Sequence, residues 1–359
     1  ASSLFLSSVA ASAASFSSVV VLGDSLSDMG RILQITSTTP GLTPEPVAPY
    51  FDGRFSNGPV AVEYLTNLVA LAPLTIERNF AYGGAKTGPD PDYFNLDNND
   101  PNTANTGLLQ QLGMFQTALP GLGITPATTL FVVWAGANDF ATPAAIQNPQ
   151  PTSDRAVGNI QTVIGGLASL GAQHFLVPQL PDLGATPRAA FIEQFGVPSL
   201  GIGPIDSFRA GATYARQRYL NQQLVRPDIR PFDAANPNID IALYDTFGAM
   251  HEVIADPTGA LFGITDTTNM CIATPACVGG SVADQAKFLF WDDQHPTTRA
   301  HEILGQRFAA AVPEPETYVL MLAGLLVIGR VARRRAPFAG RAKRSRPVPP
   351  SDRLGELGV

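Results

Sequence analysis

The sequence predicts an α/β fold on a mainly parallel central sheet, and three observations carry that expectation. Strand-like and helix-like segments alternate: Thr129–Trp134 reads as a strand, Asp154–Leu170 as a helix and His174–Pro178 as a strand again, the rhythm of right-handed βαβ units. Near the start, the apolar run Phe16-Ser-Ser-Val-Val-Val21 leads directly into Leu22-Gly-Asp-Ser-Leu-Ser-Asp28. This is the pattern of a buried strand that delivers a serine to a sharp turn. The composition agrees. A chain of 359 residues can bury a large core, only 15% of it is charged, and 33 Gly with 31 Pro favour ordered loops around a sheet over a coiled coil.

Residues 1–14, with Leu4-Phe-Leu6, small residues and a cleavage-like Ala11-Ser-Ala13, read as a secretory signal. Neither a Met nor a basic start precedes that core, so the expectation is the later part of a longer signal; a flexible Ala/Ser arm is the alternative. After the first strand, Leu26–Ile35 has a helical look. Ser25 would then stand between a strand's carboxyl end and a helix's amino end, where α/β sheets hold ligands and backbone N–H groups favour negative charge. Serine is also a common helix cap. Residues 87–107, rich in Asp, Asn, Pro and Gly, read as an exposed loop, and 186–205 and 256–284 as irregular segments. These insertions are expected to line or cover a substrate cleft.

Near the other end stands Phe290-Trp-Asp-Asp-Gln-His295-Pro-Thr297. A serine hydroxyl is a weak nucleophile until a base takes its proton, and the base needs a carboxylate to fix its tautomer. Asp292 and His295 are three apart, so one turn of chain can join them. Pro296 suits the first position of a helix through Thr297–Ala310. His174, His251 and His301 lie in strand-like or helix-like stretches and read as structural. His295 with His301 lacks a third ligand, so no metal is expected, nor any cofactor.

At this point the chain resembles the GDSL esterase/lipase family, the SGNH hydrolases. Four blocks occur in order: Gly23-Asp24-Ser25-Leu26; Asn79-Phe-Ala-Tyr-Gly-Gly84-Ala; Gly136-Ala-Asn138-Asp139; and Asp292-Asp-Gln-His295-Pro. Gly53-Arg-Phe-Ser-Asn-Gly-Pro59 is similar to the lipase/hemolysin-like branch. No Gly-x-Ser-x-Gly elbow occurs, which argues against the ordinary α/β-hydrolase fold. The resemblance implies a flavodoxin-like, three-layer α/β/α hydrolase domain over residues 15–311. It implies Ser25 as nucleophile, His295 as base and Asp292 as the orienting acid, with Asp293 competing for that role. The oxyanion hole would be the N–H of Ser25, the N–H of Gly84 and the side chain of Asn138, with Gly83 competing for the glycine's role. Asn138 also suits a plain turn. Asp24 and Asp28 are given no catalytic role. Implied substrates are small-molecule, lipid or acylated-glycan esters. A binding protein on the same fold and an acyltransferase are the alternatives.

The carboxyl-terminal region reads differently. Val312-Pro-Glu-Pro-Glu316 precedes the apolar run Thr317–Gly329, then Arg330 and Arg333-Arg-Arg335. Thirteen residues span about 20 Å as a helix, short of a roughly 30 Å hydrocarbon core. The order resembles the PEP-CTERM sorting signal of Gram-negative bacteria. That resemblance implies export to the periplasm, cell surface or matrix, at least transient anchoring in the inner membrane through 317–329, and processing by an exosortase. The arginines would stay cytoplasmic. Residues 312–335 form this segment and 336–359 a basic tail, which departs from such signals by extending past the cluster. Residues 330–359 carry nine Lys/Arg against two acids, net +7, whereas the other 329 carry 14 against 28, net −14. An acidic body disfavours nucleic acid as partner, and the basic tail suits an anionic membrane face. Cys271 and Cys277, the only cysteines, are expected to form one local disulfide in an exported protein; two free thiols are the alternative.

Overall fold

Strand β1 (Ser18–Gly23) is buried at every residue, and the fold is organised on its two edges. The computed structural model describes residues 16–88, 106–140, 145, 149–197, 203–206, 208–212 and 238–312. Strands β2 (Thr129–Trp134), β3 (His174–Pro178) and β4 (Asp240–Tyr244) follow β1 in chain order, all parallel. The register sets Ser18 against Thr129 and Gly23 against Trp134. On the other edge of β1, Val21 bridges Asn79 in parallel, and Phe80 N–H donates to Val21 O at 2.7 Å. The order of connections therefore reverses at β1. Such a switch point leaves a crevice at the carboxyl end of the strand.

Helices α1 (Arg31–Thr38), α2 (Ala61–Val69), α3 (Leu108–Ala118), α4 (Pro149–Ser169), α5 (Pro187–Phe195), α6 (Thr246–Ile254) and α7 (Thr298–Ala311) complete the described domain. Successive β1 side chains point to opposite faces. Val20 and Leu22 join Phe115 of α3 and Ile160 and Ile164 of α4 in one core. Val19 and Val21 join Val62 and Leu65 of α2 and Phe308 of α7 in the other. The result is an α/β fold with a parallel sheet between helical layers.

Several expectations need correction. No helix follows Ser25 directly: residues 25–27 form a turn and α1 starts at Arg31. The cause is Asp28, whose carboxylate accepts the N–H groups of Gly30, Arg31 and Ile32 at 2.8, 2.6 and 3.3 Å. That capture fixes the helix start six residues after the serine. The helix-terminus stabilisation of charge at Ser25 is thus absent. The expected Asp154–Leu170 helix starts five residues earlier, at Pro149. Pro296 precedes Thr297, the cap of α7, instead of opening that helix. The irregular segment 186–205 contains α5. Segment 256–284 contains β5 (Asp266–Met270), paired parallel with β6 (Phe288–Phe290), and two one-turn helices, Pro275–Val278 and Val282–Gln285.

Most of the 87–107 loop, the signal at 1–14 and everything from 313 onward lie outside the described residues, including the apolar run 317–329. Among the described residues, no helix is long and apolar enough to cross a membrane.

Cys271 and Cys277 are joined by a disulfide, and both pack with Trp291. Cys271 N–H donates to Phe290 O at 3.0 Å and Ile272 N–H to Trp291 O at 2.9 Å, so the small covalent loop lies along the strand that leads to Asp292. Replacing both cysteines by Ala is expected to lower stability by about 2–3 kcal/mol through loop-closure entropy. Urea titration checks this, and an unchanged midpoint in the double variant would refute it.

Candidate active site

The carboxyl end of β1 is gripped from several sides. Gly23 exchanges two hydrogen bonds with the Gln111 side chain, N–H to Oε1 at 2.8 Å and Nε2 to O at 2.7 Å. Tyr82 N–H reaches Gly23 O at 3.2 Å, and Asp24 N–H reaches Trp134 O at 3.3 Å. A Cβ on residue 23 would stand 2.5 Å from the Trp134 carbonyl oxygen, so this approach requires glycine. The next residues turn because Asp24 Oδ1 accepts Leu26 N–H at 3.0 Å and Asn79 Nδ2 donates to Ser27 O at 2.6 Å. Ser25 sits in that turn, 8% exposed.

The loop after β6 closes onto it. Trp291 N–H donates to His295 O at 2.8 Å and Thr297 N–H to Leu289 O at 2.9 Å, making a tight hairpin. Within it, Asp292 Oδ1 accepts the N–H of Gln294 at 3.0 Å and of His295 at 2.7 Å. Its Oδ2 lies 2.7 Å from His295 Nδ1. His295 Nε2 lies 2.8 Å from Ser25 Oγ. The structure thus brings together Ser25, His295 and Asp292, all buried. Asp293 is directed to Arg188, 3.4 Å away, and is partly exposed.

Electrostatics follow from this line. Burial opposes protonation of His295, but the charge and hydrogen bond of Asp292 outweigh it and hold the imidazole above its usual range. Burial likewise opposes ionisation of Asp292, and the His295 charge with the hydrogen bonds it receives outweighs that and holds its carboxyl low. At Asp24 the Leu26 N–H and the His295 charge offset burial too little. Burial pushes the Asp24 carboxyl up to about 7, and its Oδ2 has no hydrogen-bond partner among the described residues.

The two segments flanking β1 supply donors. Gly84 adopts the left-handed conformation, φ 76°, and is partly exposed. Gly83 N–H is committed to Asp28 Oδ2 at 2.8 Å, whereas the N–H groups of Ser25 and Gly84 meet no acceptor among the described residues. Asn138 stands in the turn Ala137–Phe140 after β2. Its Nδ2 gives one proton to Ala85 O at 3.0 Å and retains a second. Asp139 ties that turn to the other segment, accepting Thr87 Oγ at 2.7 Å and Thr87 N–H at 2.9 Å. A hydroxyl on an imidazole, an imidazole on a carboxylate and spare N–H donors nearby are the parts that acyl transfer needs.

A family model described as GDSL-like Lipase/Acylhydrolase matches residues 19–308. The chain belongs to that family. A PEP-CTERM protein-sorting motif matches residues 311–336 of this GDSL-family protein. Among curated relatives, it is 27% identical to a phosphatidylcholine-sterol acyltransferase of Aeromonas hydrophila, over 83% of this chain and 90% of that one. It is 28% identical to the thermolabile hemolysin of Vibrio parahaemolyticus, over 80% of this chain and 62% of that one. It is 27% identical to esterase EstA of Pseudomonas aeruginosa, over 82% of this chain but only 46% of that one. A solved structure of a lipolytic protein G-D-S-L family member from Veillonella parvula overlaps at TM-score 0.39 and 14% identity, covering 82% of this chain and 96% of that one. That likeness is too loose to add to the fold described above.

The GDSL-family site also contains residues that sequence reasoning missed. Tyr50 OH donates to Asp292 Oδ2 at 2.8 Å, and its ring stands edge-on to Trp291 and Phe55. Phe55 packs against the His295 ring at 5.1 Å. The 53–59 block thereby has a visible task. Ser56 Oγ donates to Pro296 O at 2.9 Å, Thr298 N–H to Asn57 Oδ1 at 2.8 Å and Thr298 Oγ to Pro59 O at 2.9 Å, clamping the carboxyl-terminal end of the histidine loop. No local signal marks Tyr50, which is 242 residues from Asp292. The other histidines stand apart from the Ser25 contact. His174 opens β3, His251 meets Asp182 at 2.9 Å, and His301 accepts Ala61 N–H at 3.2 Å, its imidazole pushed down to about 3 by burial.

Proposed function

We propose that this protein is an exported serine ester hydrolase acting through an acyl-enzyme. The observation that carries the reading is the unbroken hydrogen-bonded line Ser25 Oγ–His295–Asp292. As Ser25 Oγ bonds to the ester carbonyl carbon, its proton passes to His295 Nε2. The carbonyl oxygen becomes an oxyanion, met by Ser25 N–H, Gly84 N–H and Asn138 Nδ2. Asp292 holds Nδ1–H and stabilises the imidazolium. Collapse breaks the ester C–O bond, and His295 hands its proton to the departing alcohol. Water then attacks the acyl-enzyme by the same route, releasing the acid and restoring Ser25.

The relative named an acyltransferase favours a second reading, in which an alcohol takes the acyl group instead of water. Adding a primary alcohol to the assay separates the two by product. In the first reading, a fluorophosphonate bonds to Ser25, mapped by peptide mass spectrometry, and p-nitrophenyl ester turnover persists in EDTA. Label on another residue, or turnover lost to the chelator with Ser25 dispensable, would refute it.

The domain division follows the same reading: 1–14 signal, 15–311 hydrolase, 312–335 sorting and membrane segment, 336–359 basic tail. The sorting-motif match and the charge reversal at residue 330 support it. Exosortase-type processing and the inner membrane are its partners, and nucleic acid is not. Deleting 312–359 is expected to release soluble, active enzyme outside the cytoplasm. Full-length protein found soluble in the cytosol would sink the localisation.

A further inference from the structure

A cavity of about 70 Å³ has Ser25, Asn138 and His295 in its wall. The rest of the wall is mostly apolar, with Asp24, Thr186, Thr246 and Gln294 as its polar members. Met250 and Val253 come from one face of α6, Ala300, Ile303 and Leu304 from one face of α7, and Trp134 from the end of β2. Of the three insertions that the sequence suggested as cleft walls, the described residues contribute only Thr186, at the start of 186–205. The α6 and α7 members are helix positions three and four apart, which in the sequence look like ordinary core stripes.

We propose that this cavity is the subsite for the acyl group, and that it limits the enzyme to short acyl chains. The inference rests on the reading of Ser25 as nucleophile. In that cycle the acyl carbon stays bonded to Ser25 Oγ until water arrives, whereas the alcohol must escape first. A mostly apolar space next to the nucleophile suits the part that stays. Its size sets the class. An engineered apolar cavity of about 150 Å³ takes up benzene, so about half that volume accommodates roughly two to four carbons. A chain that outgrows the space meets the Met250 and Ile303 side chains of its wall, and overpacking of such a site is costly. Acetyl, propionyl and butyryl esters are the expected substrates.

The test is a series of p-nitrophenyl esters from acetate to palmitate, with the full-length protein and the variants Ile303→Ala, Met250→Ala and Ala249→Leu. A parallel series of acetate esters varies the alcohol. Fluorophosphonate labelling of Ser25 is followed in every variant. In the wild type, kcat/KM is expected to rise about fourfold per methylene from acetate to butyrate, then to fall at least tenfold by octanoate. Ile303→Ala or Met250→Ala should move the optimum to longer chains. Ala249, beside Met250 on α6, also lines the space, so Ala249→Leu adds bulk there and should leave acetate as the best substrate. Wild-type preference for octanoate or palmitate with Ser25 labelled would overturn the subsite while leaving the hydrolase reading intact. So would a preference that follows alcohol size, or an optimum unmoved in labelled variants. Absence of both turnover and Ser25 label in the wild type would overturn the hydrolase reading, and the subsite with it.

Discussion

Replacing Ser25 by Ala is expected to abolish ester turnover and covalent labelling by a fluorophosphonate together. Loss of the nucleophile or its base typically lowers kcat by roughly 10⁶, and loss of the orienting carboxylate by about 10⁴. His295→Ala should therefore resemble Ser25→Ala, and Asp292→Asn should retain a measurable remnant. Tyr50→Phe removes a single hydrogen bond to the Asp292 carboxylate and should cost on the order of tenfold. The pH profile separates these roles. Only neutral His295 can take the serine proton, so kcat/KM should fall as pH drops through its pKa. Asp292 holds that pKa above the ordinary histidine value, which places the wild-type acid limb above about pH 6.5. In Asp292→Asn the opposing effect, burial, is no longer outweighed, and the limb should move to lower pH. Linkage has the matching sign. The raised pKa of His295 contributes stability that is full below about pH 6.5 and lost as pH rises through the folded value. Wild-type turnover in Ser25→Ala, or an acid limb unmoved in Asp292→Asn, would contradict this account.

What could be read from the sequence was governed by how local the physics is. Strands β2 and β3 are short β-branched and aromatic runs with clear ends, and the structure places them at the residues that the pattern marks. Asp292 and His295 meet because three residues fit one tight hairpin, a constraint visible in the spacing. The start of α1 was not legible, because it depends on the Asp28 carboxylate competing for three backbone N–H groups, which a helix-like pattern at 26–35 conceals. The choice between Gly83 and Gly84 depends on that same carboxylate, which occupies the Gly83 N–H. Tyr50 was out of reach because its partner is brought to it by the whole fold. The cavity was hidden for another reason. Apolar helix faces that stop short of filling their interface leave the same periodic signature as faces that fill it.

Asn138→Ala carries the second large expected effect and tests the oxyanion assignment apart from the nucleophile. Asn138 is partly exposed, and among the described residues its side chain makes one hydrogen bond, to Ala85 O, so its truncation should leave the fold intact. Asp139, which joins the two donor segments through Thr87, remains in place. Ser25 also keeps its base, so the fluorophosphonate still reacts, more slowly. Because the side chain meets charge that develops only as the oxyanion forms, the loss should fall on kcat with KM little changed. Removing one such donor typically costs about 10²–10³ in kcat, or roughly 3–4 kcal/mol. Asn138→Asp should be worse than Asn138→Ala, since it presents an acceptor, ionised at neutral pH, to a forming negative charge. Steady-state kinetics and labelling rates for the pair decide the point. An Asp variant as active as wild type would remove Asn138 from the oxyanion hole and leave it as the turn former that its sequence neighbours also suggest.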